Sequence, residues 1–173
     1  MALLTEFSAI RSGIERVAGR GVDLPINEVM LTRKLKHLGA AMTLHLQRLL
    51  QPHGLVEADF IALMQLFGSP GMSASPGELC GLTAQRPTNM TRIADALVRK
   101  RLATRATDAS DRRRVVLRIT ARGERLARTL LPQLSAEIQG AFAALSARDK
   151  RQLDRLLQRL AASLDAHTEE FDP

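Results

Sequence analysis

Three consecutive arginines, Arg112, Arg113 and Arg114, follow Asp111 in the stretch Asp-Ala-Ser-Asp-Arg-Arg-Arg-Val-Val-Leu-Arg-Ile-Thr over 108–120. A guanidinium is permanently charged and presents its donors in a rigid planar fork, so a cluster of them suits a polyanion. The run from Val115 to Thr120 is β-rich, which places the arginines at the tip of a short hairpin. Within the tip, Asp111 and Arg113 form an Asp-x-Arg pair able to brace the turn by a charge-assisted hydrogen bond. Arg113, with Arg112 as second choice, then points to a narrow, electronegative groove of a nucleic acid, while Arg114 sits at the strand edge. A solvated charged turn is the plain alternative, and the surroundings must decide.

A second polar set lies upstream. Pro87 suits a first helical position, and Thr88, Asn89, Thr91 and Arg92 share one side of the helix that follows, with Arg86 just before it. Ile93, Ala94, Leu97 and Val98 take the opposite, core-facing side. Asn pairs bidentately with adenine, Arg with guanine, and Thr reaches a base edge, a thymine methyl or a phosphate. Taken alone, the same pattern describes any amphipathic helix. Beside a basic hairpin it favours a helix that reads bases. Arg99, Lys100, Arg101 and Arg105 are placed to contact phosphate or merely to solubilise.

The elements that must position these residues follow from periodicity. Leu3, Leu4, Phe7, Ile10, Ile14 and Val17 predict an amphipathic helix over 3–19. A longer helix runs from Asn27 to Gln51, with Val29, Met30, Leu35, Leu38, Met42, Leu46 and Leu49 on its apolar side, and Pro52-His53-Gly54 ends it. Val56–Phe67 is helical, packed through Phe60, Ile61, Met64 and Leu66, and 68–74 is a loop. Ser75, Pro76 and Glu78 form a capping box that opens a short helix to about Gly81, with Cys80 placed as a small buried side chain. A turn through Leu82–Gln85 leads to the 87–101 helix, and two strands at about 102–106 and 114–119 flank the arginine tip. Two further helices, roughly 121–144 with Pro132 as a possible kink and 147–166 opened by Ser146 and Asp149, close the chain. The last one carries Leu153, Leu156, Leu157, Leu160 and Leu164 on a stripe that must bury itself against something. The fold class is therefore mainly α with a small β wing: a winged helix-turn-helix at 53–120, between N-terminal helices at 1–52 and C-terminal helices at 121–173 that are free to make a dimer.

Composition agrees. The chain has 173 residues, 25 Lys and Arg against 18 Asp and Glu, a net charge of +7, and only 3% aromatic residues with no Trp or Tyr. That is a helix-rich, basic composition that favours a polyanionic partner. A single cysteine cannot close an intramolecular disulfide, which fits a reducing cytoplasm. Charges at Glu6, Arg11, Glu15 and Arg16 interrupt any signal-like apolar run, and no stretch is long enough to span a membrane. Nothing points to an enzyme: there is no Gly-rich phosphate loop, no Gly-x-Ser-x-Gly, and the four histidines lack the spacing of a metal site.

The run Glu78-Leu79, then Thr88-Asn89-Met90-Thr91-Arg92-Ile93-Ala94-Asp95, then Asp111-Arg112-Arg113-Arg114 with Leu117, Thr120 and Gly123, resembles the MarR (multiple antibiotic resistance regulator) family, in particular its multidrug-efflux-pump repressors. The likeness extends to the Val29-Met30-Leu31-Thr32-Arg33 segment. It departs at Arg86, where many relatives place a capping Ser. The resemblance implies a homodimer built from the terminal helices, each protomer giving one winged module to a palindromic double-stranded operator. It also implies no cofactor, and a repressor of efflux or stress-response genes released by small amphipathic weak acids or phenolic compounds. A ligand pocket belongs between the dimer helices and the winged module, where Arg33, Lys34 and His37 supply cations and Met42, Phe60 and Met64 an apolar wall. Taken one at a time, each of these side chains reads equally well as plain core or surface. Two rival functions remain: a regulator of the same fold that senses oxidants through Cys80, and a non-specific architectural DNA binder.

Overall fold

The computed structural model describes residues 3–83, 85–107 and 115–169. In chain order these form α1 (Leu3–Ala18), α2 (Ile26–Leu50), α3 (Glu57–Gly68), β1 (Ser73–Ala74), α4 (Pro76–Thr83), α5 (Pro87–Arg99), β2 (Ala103–Thr107), β3 (Val115–Ile119), α6 (Ala121–Ala141) and α7 (Ala147–Glu169). The architecture is a mainly helical winged helix-turn-helix with a small antiparallel sheet in the order β1-β3-β2. The chain divides into two compact units between Leu130 and Leu131.

The first unit is built around α3, α4, α5 and the sheet. Leu63 and Leu66 of α3, Leu79 of α4, Met90, Ile93 and Leu97 of α5, Leu117 of β3 and Leu130 of α6 are all fully buried. Each such side chain contributes about 1.5–3 kcal/mol on leaving water. The α4 start carries the expected capping box: the Ser75 backbone N–H donates to Glu78 Oε2 at 2.7 Å, and the Glu78 N–H donates back to Ser75 Oγ at 3.3 Å. The helix runs to Thr83, past the expected end at Gly81. Cys80 is half-buried, not sealed in the core as its apolar neighbours suggested, because Leu79 takes the inward position on this turn.

The sheet has a strand that periodicity does not show. Ser73 and Ala74 pair with Arg118 and Leu117 of β3, so part of the expected 68–74 loop is sheet. Two residues carry no alternating pattern; only the cross-strand partners define this strand. The expected hairpin is present, with β2 and β3 in register from Ala103↔Ile119 to Thr107↔Val115.

The hairpin is locked to α6 at one junction. Thr120 Oγ1 donates to the Arg101 carbonyl at 2.8 Å and accepts the Gly123 N–H at 3.0 Å, capping α6, while the Thr120 N–H donates to the Leu102 carbonyl at 2.9 Å. A Cβ on Gly123 would lie 2.2 Å from the Leu102 carbonyl oxygen and 2.8 Å from Ile119 Cγ1. Only glycine lets the helix approach the strand so closely. Arg101, which enters this junction, has a left-handed φ of +58°.

The second unit contains the end of α6 and α7. Pro132 lies inside α6, where it removes the amide that would bond the Arg128 carbonyl. At the start of α7, Ser146 Oγ donates to Asp149 Oδ2 at 2.6 Å and the Ser146 N–H donates to the same oxygen at 3.0 Å. Leu156, Leu157, Leu160 and Leu164 lie exposed along α7. In the first unit Leu31, Leu35, Leu38 and Met42 of α2 are exposed in the same way. No helix among the described residues is long and apolar enough to cross a membrane.

Two expectations follow. Gly123→Ala destabilises the protein by about 3 kcal/mol, because the obstacle is backbone and cannot rotate away; a urea titration that leaves the midpoint unchanged contradicts this close approach. The hydrogen bonds from the Ser146 hydroxyl, and then from its backbone N–H, hold the Asp149 carboxyl below its ordinary value of 3.8. A carboxyl lowered in the folded state stabilises the cap above that ordinary value, and the contribution is lost as the pH falls below it. Ser146→Ala should therefore move the Asp149 titration midpoint upward, as followed by its side-chain carboxyl resonance.

Candidate nucleic-acid interface

Helix α5 presents two unlike sides. Met90, Ile93, Ala94 and Leu97 face the core, while Thr88, Thr91 and Arg92 are exposed, as is Arg86 just before the helix. Arg86 is extended at the N-cap with no side-chain cap bond, and Pro87 occupies the first turn, where its missing N–H costs nothing. The division expected from spacing is therefore present.

The polar side is connected. The half-buried Asn89 donates from Nδ2 to Gln85 Oε1, and its Oδ1 accepts Arg92 Nε–H at 2.9 Å. Both ends of the amide are thus engaged, so an adenine edge would have to replace Gln85 and Arg92. Thr91 Oγ1 donates to the Pro87 carbonyl at 3.2 Å. Arg92 Nη1 lies 3.7 Å from Asp59 Oδ1, and Lys100 Nζ donates to Asp59 Oδ2 at 2.7 Å. One line of polar groups therefore runs from Gln85, before the helix, through Asn89 and Arg92 to Asp59 of α3 and Lys100 at the helix end.

Asp59 is the residue that reading the chain missed. Its side chain is 2% exposed and, among the described residues, Oδ1 has no hydrogen-bond partner. A buried carboxylate is tolerated where cations compensate it, and an oxygen left without a donor costs about 1–3 kcal/mol. The signal was available: Asp59, Ala62, Leu63 and Leu66 have the i, i+3, i+4, i+7 spacing of a buried stripe, and an acid on such a stripe needs a partner.

Among the described residues, two of the four cations assigned to phosphate or solubility meet a carboxylate. Lys100 is held by Asp59, and Arg105 Nη2 meets Asp95 Oδ1 at 2.5 Å, tying β2 to α5. The latter pair is half-exposed and contributes about 1 kcal/mol or less. Arg99 is exposed. The expected tip residues Asp111, Arg112 and Arg113 lie outside the described residues, which stop at the Thr107↔Val115 pair.

The residues expected around a ligand are distributed over separate surroundings. Lys34 Nζ sits 6.0 Å over the Phe7 ring, and His37 meets the same ring edge-on, with its Nδ1 3.5 Å from Glu6 Oε2. These two pin α1 to α2. Met42 is exposed, Phe60 buried and Met64 half-buried. Arg33 instead lines a groove of about 370 Å³ between α1 and α2, with Ile10, Ile14, Val17, Leu24 and Val29, and is the charged residue of that lining among the described residues. Among the described residues no cluster of His, Cys, Asp or Glu could hold a metal ion.

This arrangement, a packed helix-turn-helix with a polar outward side and a β-hairpin beside it, recurs in known regulators. Over 162 residues the chain is 32% identical to the transcriptional repressor MprA of Escherichia coli (strain K12), covering 93% of this chain and 92% of that protein. The crystal structure of AbsC, a MarR family transcriptional regulator from Streptomyces coelicolor, superposes with a TM-score of 0.75 at 25% identity, over 84% of this chain and 99% of that one. Sco3205, a MarR family regulator of the same organism solved in complex with DNA, shares the fold with a TM-score of 0.73 at 21% identity, over 83% of this chain and 91% of its own. No family model matches the chain. The chain belongs to the MarR family of transcriptional regulators.

The buried pair yields a stability expectation. Lys100→Met leaves Asp59 with only Arg92, at 3.7 Å and without a hydrogen bond, and should cost about 2–4 kcal/mol in urea unfolding. The double variant Asp59→Leu with Lys100→Met removes both charges and should be more stable than Lys100→Met alone. A double variant no better than the single one contradicts the buried-charge account.

Proposed function

We propose that this protein is a homodimeric, sequence-specific repressor. Each protomer sets α5 into the major groove of one half of a palindromic duplex, and the 111–113 tip reaches the adjacent minor groove. The observation that carries the reading is the exposed set Thr88, Thr91 and Arg92 on a helix whose other side is fully packed, in a member of the MarR family. Asn89 and Arg92 read bases, Arg86 and Thr88 contact the groove edge, and Arg113, braced by Asp111 and supported by Arg112, holds the minor groove. Residues 1–52 and 121–173 supply the dimer, with the exposed leucines of α2 and α7 as its apolar faces. Burial of such faces sets the spacing of the two reading helices.

Amphipathic weak acids or phenols release the protein from DNA, and the α1–α2 groove with Arg33 offers such a molecule an apolar wall and a cation. Genes for efflux or stress response are the proposed targets. The controlled chemistry is binding alone; no catalytic step is assigned.

Selection of duplexes from a random pool by the purified protein tests this directly. A palindromic consensus is expected; recovery of unrelated sequences with a steep salt dependence indicates a non-specific binder. On the selected duplex, Asn89→Ala and Arg92→Ala each cost about 1–3 kcal/mol and relax the preference at particular positions. Arg113→Ala weakens all duplexes evenly and lowers the salt slope by about 1. Unchanged affinity in Arg113→Ala contradicts the wing assignment.

A further inference from the structure

We infer that Asp59, a residue of α3 that faces away from solvent, sets the base preference of α5 by fixing the Arg92 guanidinium. It is a positioning residue, and the inference rests on the DNA-binding reading above. The geometry has three parts. Asp59 is 2% exposed, so DNA cannot reach it and its influence must pass through a neighbour. Its Oδ2 is occupied by Lys100 Nζ at 2.7 Å, whereas Oδ1 has no hydrogen bond among the described residues and lies 3.7 Å from Arg92 Nη1. Arg92 is in turn 54% exposed and donates from Nε to Asn89 Oδ1.

Arg92 thus has its Nε edge on Asn89 and one Nη near an acceptor that still lacks a donor. Rotating the guanidinium to reach a phosphate freely would take it away from both. The buried charge therefore holds a guanidinium that stays 54% exposed, and a fixed fork recognises one base geometry where a free one accepts many. Lys100 has the complementary role: it neutralises Asp59 enough for the carboxylate to stay buried, and it satisfies only one of the two oxygens. The same line positions Asn89, whose Oδ1 is occupied by Arg92 and whose Nδ2 is held by Gln85. A change at Asp59 should therefore alter which bases are preferred while leaving phosphate attraction, and so binding to arbitrary DNA, in place.

The test compares affinity for the selected duplex with affinity for a scrambled one. Asp59→Asn, nearly isosteric, should lower that ratio about tenfold. Binding to the scrambled duplex should stay within about twofold. In an Arg92→Ala background the same substitution should change the ratio by less than about twofold, because the group it positions is gone. Equal losses in both backgrounds, or a ratio unchanged by Asp59→Asn, overturn the inference. If Asp59→Asn does not fold, Asp59→Leu with Lys100→Met removes the buried charges together and should show the same loss of ratio; a double variant that discriminates like the original protein overturns it. Should the unmodified protein select no duplex at all, the DNA-binding reading fails and this inference falls with it. A discriminating protein indifferent to Asp59 sinks the inference alone.

Discussion

A carboxylate buried on the leucine stripe of α3 ties that helix to the end of α5. Asp59 enters the core on the stripe that also carries Leu63 and Leu66, and it persists there because Lys100 Nζ reaches it from the end of α5. The pair spans 41 residues of sequence and joins α3 to the end of α5. Apolar packing of Leu79, Met90, Ile93 and Leu97 brings α4 and α5 together but is tolerant of small slides and rotations. A buried ion pair is not. In energy it contributes little beyond what apolar replacements would. Its effect is to tie the C-terminal end of α5 to α3.

A second constraint acts at the root of the hairpin. The Leu102 carbonyl accepts the Thr120 N–H and closes against Gly123, while the Thr120 hydroxyl bridges the end of α5 to the start of α6. Leu117 anchors the strand between them. Three positions that looked like parts of a recognition signature, Leu117, Thr120 and Gly123, are therefore scaffolding. They hold the base of the hairpin against the helices. The end of α5 is thus tied to α3, and the root of the hairpin to α6.

Much of this was legible from residue order. The two capping boxes, at Ser75 with Glu78 and at Ser146 with Asp149, follow from local chemistry and form as expected. So do the two sides of α5, since a helix with apolar residues at Ile93, Ala94 and Leu97 must turn Thr88, Thr91 and Arg92 outward. What was not legible depends on partners distant in sequence. Strand β1 exists because β3 offers Arg118 and Leu117 to Ser73 and Ala74. Lys100 reads as a surface cation until Asp59 is seen beneath it, and the contacts of Lys34 and His37 with Phe7 and Glu6 of α1 are likewise absent from any local pattern. Local pattern reports which side of a helix is buried; it does not report which charge is brought to meet another.

The account depends on α5 reading base edges in the major groove. Purine N7 atoms lie only in that groove, so replacing the selected purines one at a time with their 7-deaza analogues probes it without altering the backbone charge. At the positions read by α5, affinity should fall about tenfold for the unmodified protein and not at all for an Asn89→Ala, Arg92→Ala double variant. Affinity that ignores every 7-deaza substitution, or that falls equally in the double variant, contradicts the assignment of α5 as the reading helix.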